Sequence, residues 1–140
     1  MRSKIFVRLA AFSVLALLLG QTIGMASWDN PPDREKKVVV QMMKTVSTPF
    51  MGSTKSFADY YNGNNWLIFG FHGLIIFVLL ILAPQIGGSQ KRMVVALLSA
   101  IALVYLLFSV VYFVYFFPLP FILSLLTSVF LAVGIRKSYE

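Results

Sequence analysis

The stretch from Trp66 to Pro84, WLIFGFHGLIIFVLLILAP, constrains this chain most. It is apolar throughout and carries one ionisable residue, His72. A run of this length crosses a bilayer as a single helix. Water would have to solvate any such face left outside a core. With 59% hydrophobic and 12% charged residues in a chain of 140, a soluble fold cannot hide the surplus. The sequence therefore predicts an integral membrane protein.

Two further runs follow. Val94 to Phe117 is long enough to span with some tilt. Phe121 to Ile135 is short, about 22 Å as helix, and is extended by Pro120 in its first turn and by snorkelling Arg136 and Lys137. The turns between them are Pro84 to Ser89 and Pro118-Leu119-Pro120. These boundaries give a three-helix membrane region over 66–140, with spans at 66–84, 94–117 and 119–135.

Residues 1–26 admit two readings. Arg2, Lys4 and Arg8 precede the apolar stretch Leu9 to Leu19, and Gly24 and Ala26 stand where a signal peptidase cuts, before Ser27. The rival is a retained first transmembrane helix from about Ile5 to Met25. Both leave the segment 27–65 outside. In that segment Asn30-Pro31-Pro32-Asp33 reads as a helix start. Val39, Met42, Met43 and Val46 then recur at the spacing of one helical face. The expectation is an extracytoplasmic amphipathic helix over Pro32 to Val46, with Lys36, Lys37 and Lys44 on its flanks. Thr48-Pro49 stops it. Met51-Gly52-Ser53 reads as a turn, and a short second helix from Ser53 or Thr54 to Gly63 is expected next. It would carry Phe57, Tyr60 and Tyr61 on one face at the outer interface, with Asp59 beside Ser56. Trp66 marks the outer end of the central span.

Charge sets the orientation. With the N-terminus in the cytoplasm, Arg2, Lys4, Arg8, Lys91, Arg92, Arg136 and Lys137 all fall inside, and the Pro118 turn outside is uncharged. Arg34, Lys36, Lys37, Lys44 and Lys55 are offset by Asp29, Asp33, Glu35 and Asp59 in a longer loop. The formal charge of +7 thus suits membrane lipid headgroups. No basic groove or recognition motif points to nucleic acid. The fold class expected is all-α: a polytopic membrane protein, a four-transmembrane-helix bundle with both termini cytoplasmic, or three spans if the first segment is cleaved.

His72 is the sharpest candidate for chemistry. It lies about 9 Å below the outer interface, a depth at which an ionisable side chain faces its neighbours. Tyr105, Ser109 and Tyr112 share a face at i, i+4, i+7. Ser124, Thr127 and Ser128 share another at i, i+3, i+4. The depths match, which predicts one intramembrane polar cluster centred on His72. Its plain role is helix-to-helix hydrogen bonding. Its functional role would be a neutral histidine that binds a headgroup or relays a proton. Gly70 and Gly73 beside it would let a neighbour approach. Asp59, Tyr60, Tyr61 and Trp66 form a second, outer-interface set. Cysteine is absent, and GxSxG, HExxH and phosphate-loop patterns do not occur. No cofactor or metal ligand set is expected.

The pattern Met51-Gly52-x-x-x-Ser56-x-x-Asp59-Tyr60-Tyr61-x-Gly63, with Phe117-Pro118-x-Pro120, resembles uncharacterised small bacterial four-helix integral membrane proteins. The resemblance implies a retained first helix and an inner-membrane location, and it implies no activity. The first helix departs from it in being short and signal-like. The function expected is a non-enzymatic accessory or scaffold protein that binds lipid, a membrane-protein partner or a second copy. A small oligomeric transporter or channel component is the alternative. A membrane enzyme acting on lipid or quinone, with His72, Tyr112 and Asp59 as its acid–base groups, is the third.

Overall fold

A computed structural model describes residues 2–140; Met1, the first residue of the expected N-terminal segment, lies outside the described residues. The class is all-helical. The long helices are α1 (Arg2–Ser27), α3 (Phe57–Leu82), α4 (Lys91–Tyr115) and α5 (Pro118–Lys137), with a shorter α2 (Arg34–Thr45). A two-stranded hairpin, β1 (Ser47–Phe50) and β2 (Ser53–Ser56), precedes α3, and a 3-10 turn at Ala83–Gln85 follows it. Among the described residues, four helices are long and apolar enough to cross a membrane.

The chain divides into two compact units, one joining the residues up to Leu18 with His72–Glu140, the other being Leu19–Phe71. In the first unit α4 and α5 pack most extensively, joined through Phe116 and Phe117. Pro118 and Pro120 open α5, where their missing N–H groups cost nothing. α5 is thereby 20 residues long, about 30 Å, and the expected shortness of the last span disappears. The phenyl rings of Phe113 and Phe121 meet at 5.3 Å and fix the register across this pair. The core takes Val7, Ala10, Ala11 and Val14 from α1, Leu79 and Leu82 from α3, Val94, Leu98 and Tyr105 from α4, and Leu131 from α5. The α1 residues follow i, i+3, i+4, i+7, one helical stripe.

One glycine has a packing reason. A Cβ on Gly134 would sit 3.3 Å from the Ser3 carbonyl oxygen and from the Phe6 Cβ, so the last turn of α5 lies against the first turns of α1. Small residues permit such approach where lipid supplies no hydrophobic drive between helices. Gly70 and Gly73 do not have this role: a Cβ at either would meet nothing within 4 Å.

The second unit corrects the expected organisation of 53–63. No short helix begins at Ser53. Ser47 pairs with Ser56 and Phe50 with Ser53, antiparallel, around the two-residue turn Met51-Gly52. Both turn residues have positive φ, 48° and 80°, which matches the twist of a tight hairpin. Pro49 is tolerated because each strand is an edge. α3 then starts at Phe57 and passes Gly63 without a break, nine residues before the predicted start at Trp66. α2 is capped by Asp33, whose carboxylate accepts from the Glu35 N–H, and not by Asn30. It ends at Thr45, ahead of the extended Thr48-Pro49.

Candidate functional site

In the first unit the polar residues of α3, α4 and α5 are buried. His72 is 1% exposed, Tyr105, Ser124 and Thr127 are fully enclosed, and Ser109 and Ser128 are buried beside them. Tyr112 is half-buried. Ser109 and Ser124 stand equally far from the Phe116-Phe117 link in sequence, so the packed pair carries them at about the same level, roughly 10 Å from the turn.

Rings define the part around His72. Its imidazole stands 6.0 Å from the Tyr105 ring and 6.5 Å from that of Phe108. Tyr105, Phe108, Tyr112 and Phe116 then contact one another in sequence down α4, at 5.8, 6.1 and 5.3 Å. Edge-on contacts of this kind favour a defined geometry over a loose apolar pile. Phe108 was not singled out in the sequence, although it completes the i+3 step of this ladder.

The hydroxyls are used locally. Ser109 Oγ donates to the Leu106 carbonyl at 2.7 Å, and Thr127 Oγ1 to that of Leu123 at 2.8 Å. Both bonds return to the residue's own helix, the low-cost way to bury a hydroxyl in apolar surroundings. Tyr105 Oη and Ser124 Oγ are buried and have no hydrogen-bond partner among the described residues. Ser13 of α1 is a further buried hydroxyl, bonded to the Leu9 carbonyl at 3.1 Å. Its neighbours Ala10, Ala11 and Val14 mark that face in the sequence.

The residues expected at the outer interface lie in the second unit. Asp59 and Ser56 form a reciprocal cap on α3. Asp59 Oδ2 accepts from the Ser56 N–H at 2.8 Å and from Ser56 Oγ at 2.9 Å, while the Asp59 N–H donates to Ser56 Oγ at 3.1 Å. Asp59 is thus occupied with the helix end. Tyr61 packs on Trp28 with centroids 4.8 Å apart, and Trp28 Nε1 donates to Asn62 Oδ1 at 3.0 Å. Gln21 Nε2 donates to the Asn65 carbonyl at 3.1 Å. Trp28 and Gln21 were missed in the sequence; a tryptophan directly after an apolar run was the available signal. Tyr60 and Trp66 are exposed, Trp66 meeting Phe69 edge-on at 5.7 Å.

A third set of polar contacts closes the first unit. Lys91 Nζ donates to the Ser138 carbonyl and lies 3.9 Å from the Tyr139 ring centroid. Glu140 pairs with Arg136 at 3.8 Å and with Lys137. The Lys137 ammonium holds the Glu140 carboxyl below the usual carboxylate range.

Together these features define a multi-pass helical membrane protein. His72, Tyr105, Ser109, Ser124 and Thr127 are buried in it, while large apolar residues such as Phe12, Phe77 and Phe113 are exposed. Comparison with protein-family models, with curated proteins and with solved structures finds no match for this chain.

Proposed function

We propose that this chain is a non-enzymatic accessory protein of a bacterial inner membrane that binds lipid or a membrane partner. In this reading α1, α3, α4 and α5 form a four-span bundle with both termini in the cytoplasm, and α2 rides on the outer side. The resemblance in 51–63 and 117–120 supports the small four-helix class. The burial of Val7, Ala10, Ala11 and Val14 supports retention of α1, since cleavage after Ala26 would strip one wall from that core. The placement of Lys91 beside Ser138, and of α5's last turn beside α1's first, gathers the basic residues at one end, in keeping with the positive-inside rule.

One observation carries the functional part. α2 buries none of its residues, and Val38, Val39, Met42 and Val46 are each about half exposed or more. An amphipathic helix beside membrane spans with an uncovered apolar stripe suits an interfacial binding role. The polar cluster, whose hydroxyls at Ser109 and Thr127 are spent on their own helices, suits packing better than turnover.

The absence of cysteine makes the test direct. Single-cysteine variants Thr54→Cys and Ser89→Cys are labelled in intact cells with a membrane-impermeant maleimide. Thr54→Cys should label from outside and Ser89→Cys only after permeabilisation; the reverse pattern rejects the orientation. Extraction in native nanodiscs should retain a defined lipid or a stoichiometric membrane protein, and Val39→Ser with Met42→Ser should lose it. A lipid- or quinone-dependent turnover that His72→Asn abolishes would reject the non-enzymatic reading.

A further inference from the structure

Lys4, Arg8, Lys91, Arg92, Arg136 and Lys137 of the first unit come from three helices and belong to helix ends that meet at one end of it. Lys4 and Arg8 are on the first turns of α1, which lie against Gly134 near the end of α5. Arg136 and Lys137 close α5. Lys91 and Arg92 open α4, and Lys91 reaches the Ser138 carbonyl just past α5. Glu140 is the only acid in the residues of this unit, and it is already paired with Arg136 and Lys137.

The helix termini at this end differ in sign. The C-terminus of α5 is matched by Arg136, Lys137 and the Lys91 contact with Ser138, whereas α1 and α4 begin here with no acid in their first turns. Gln90, at the N-cap of α4, makes no capping hydrogen bond with its side chain. Lys91 and Arg92 therefore sit on the positive end of a helix dipole, where a carboxylate is the stabilising choice. Local charge and helix polarity oppose each other here, and an anion brought in from outside would satisfy both.

The surroundings say what carries that anion. Ile5 on α1 and Met93 and Leu97 on α4 are exposed within one or two turns of the cations. A ligand that fills the site must present negative charge directly beside acyl chains. Arg136 is positioned to take the charge: its side chain is 84% exposed and its planar fork matches phosphate oxygens. Lys91 is fixed by Ser138 and Tyr139 and supplies a second, pre-placed positive charge.

We propose that this end of the α1–α4–α5 unit is a binding site for the phosphodiester headgroup of an acidic phospholipid. Arg92 and Arg136 are the main contacts, with Lys91 holding the floor of the site. The proposal rests on the reading of these helices as membrane spans. It adds a lipid class and a location remote in sequence from α2.

The test uses the full chain purified in a neutral detergent. Native mass spectrometry and thermal unfolding are run with phosphatidylglycerol, with phosphatidylcholine of the same acyl chains, and with inorganic phosphate. Phosphatidylglycerol should bind roughly tenfold or more tightly than phosphatidylcholine, with a corresponding rise in Tm, and the preference should fall with salt. Arg92→Gln with Arg136→Gln should remove most of that preference, whereas Lys55→Gln in β2 should leave it unchanged. Equal binding of the two lipids by the unmodified protein overturns the proposal, whether or not the double variant folds. Retention of the preference in a folded double variant also overturns it. An equal Tm rise with inorganic phosphate assigns the site to free phosphate and overturns the lipid. Loss of the preference in a chain that still gives the expected maleimide pattern leaves the membrane reading intact, so the two failures are separable.

Discussion

The His72 ring stands nearly perpendicular to the Tyr105 ring, 78° between planes and 6.0 Å between centroids. Both residues are buried, one on α3 and one on α4. The contact ties the two helices through their rings, and Phe108 flanks it on the α4 side.

Truncation should separate the ring from the polar atoms. His72→Ala removes a ring packed against two others and is expected to cost about 2–4 kcal/mol. Tyr105→Phe keeps the ring and deletes a buried hydroxyl that has no hydrogen-bond partner among the described residues. It should be neutral or stabilise by up to about 1–3 kcal/mol, the cost of an unsatisfied buried group. Equilibrium unfolding in mixed micelles measures both. A destabilising Tyr105→Phe would show that the hydroxyl is engaged.

Gly134 sets how closely α5 approaches α1. Alanine there needs its neighbours to give by a few tenths of an ångström, because the Ser3 oxygen and Phe6 Cβ stand 3.3 Å away. Gly134→Ala should be mild. Gly134→Leu should force the helices apart and cost about 1–3 kcal/mol. Cysteine pairs placed on the first turn of α1 and the last turn of α5 would report the separation as lost cross-linking.

The cap on α3 is the next weak point. Ser56 gives its hydroxyl to Asp59 and takes the Asp59 N–H in return. Ser56→Ala should cost about 0.5–2 kcal/mol, in the range of lost N-caps. It should also speed amide exchange at Phe57 and Ala58, where the hairpin joins the helix through the Phe57 N–H bond to the Val46 carbonyl. Ser56→Thr, which keeps the oxygen, should restore most of the protection.

The parts legible in the sequence are those written in short-range periodicity. Apolar runs of span length locate α3 and α4, a shorter run marks α5 after the Pro118-Leu119-Pro120 turn, and residues 1–26 read either as a helix or as a signal peptide. Spacing puts Ser124, Thr127 and Ser128 on one face, and all three are buried. What the spacing does not carry is the partner of each group. Ser109 and Thr127 bond to their own backbone, a choice set by rotamer and local carbonyl geometry. Trp28 with Asn62 and Lys91 with Ser138 are 34 and 47 residues apart, and only the folded chain brings them together. The hairpin was hidden for another reason. Its strands are four residues each, lack apolar alternation, and turn on Met-Gly in place of the familiar Asn-Gly. Gly63 misled in the opposite sense, since a helix as long as α3 absorbs one glycine at a cost of about 1 kcal/mol.

That turn gives the last expected outcome. Met51 holds φ at 48° and is 91% exposed, so a bulky residue occupies a left-handed position with no packing to repay it. Asparagine enters that region far more readily because its short amide bonds to the local backbone. Met51→Asn should therefore stabilise the hairpin by about 0.5–1 kcal/mol. Gly52→Ala, at φ 80°, should destabilise it, since a Cβ there meets its own backbone even though no other atom lies within 4 Å. Amide exchange at Thr54 and Lys55 distinguishes the two, slowing in the first variant and quickening in the second. If Met51→Asn leaves exchange unchanged, the turn is not the element that limits opening of the hairpin. The cap at Ser56 and Asp59 then becomes the point that holds it shut.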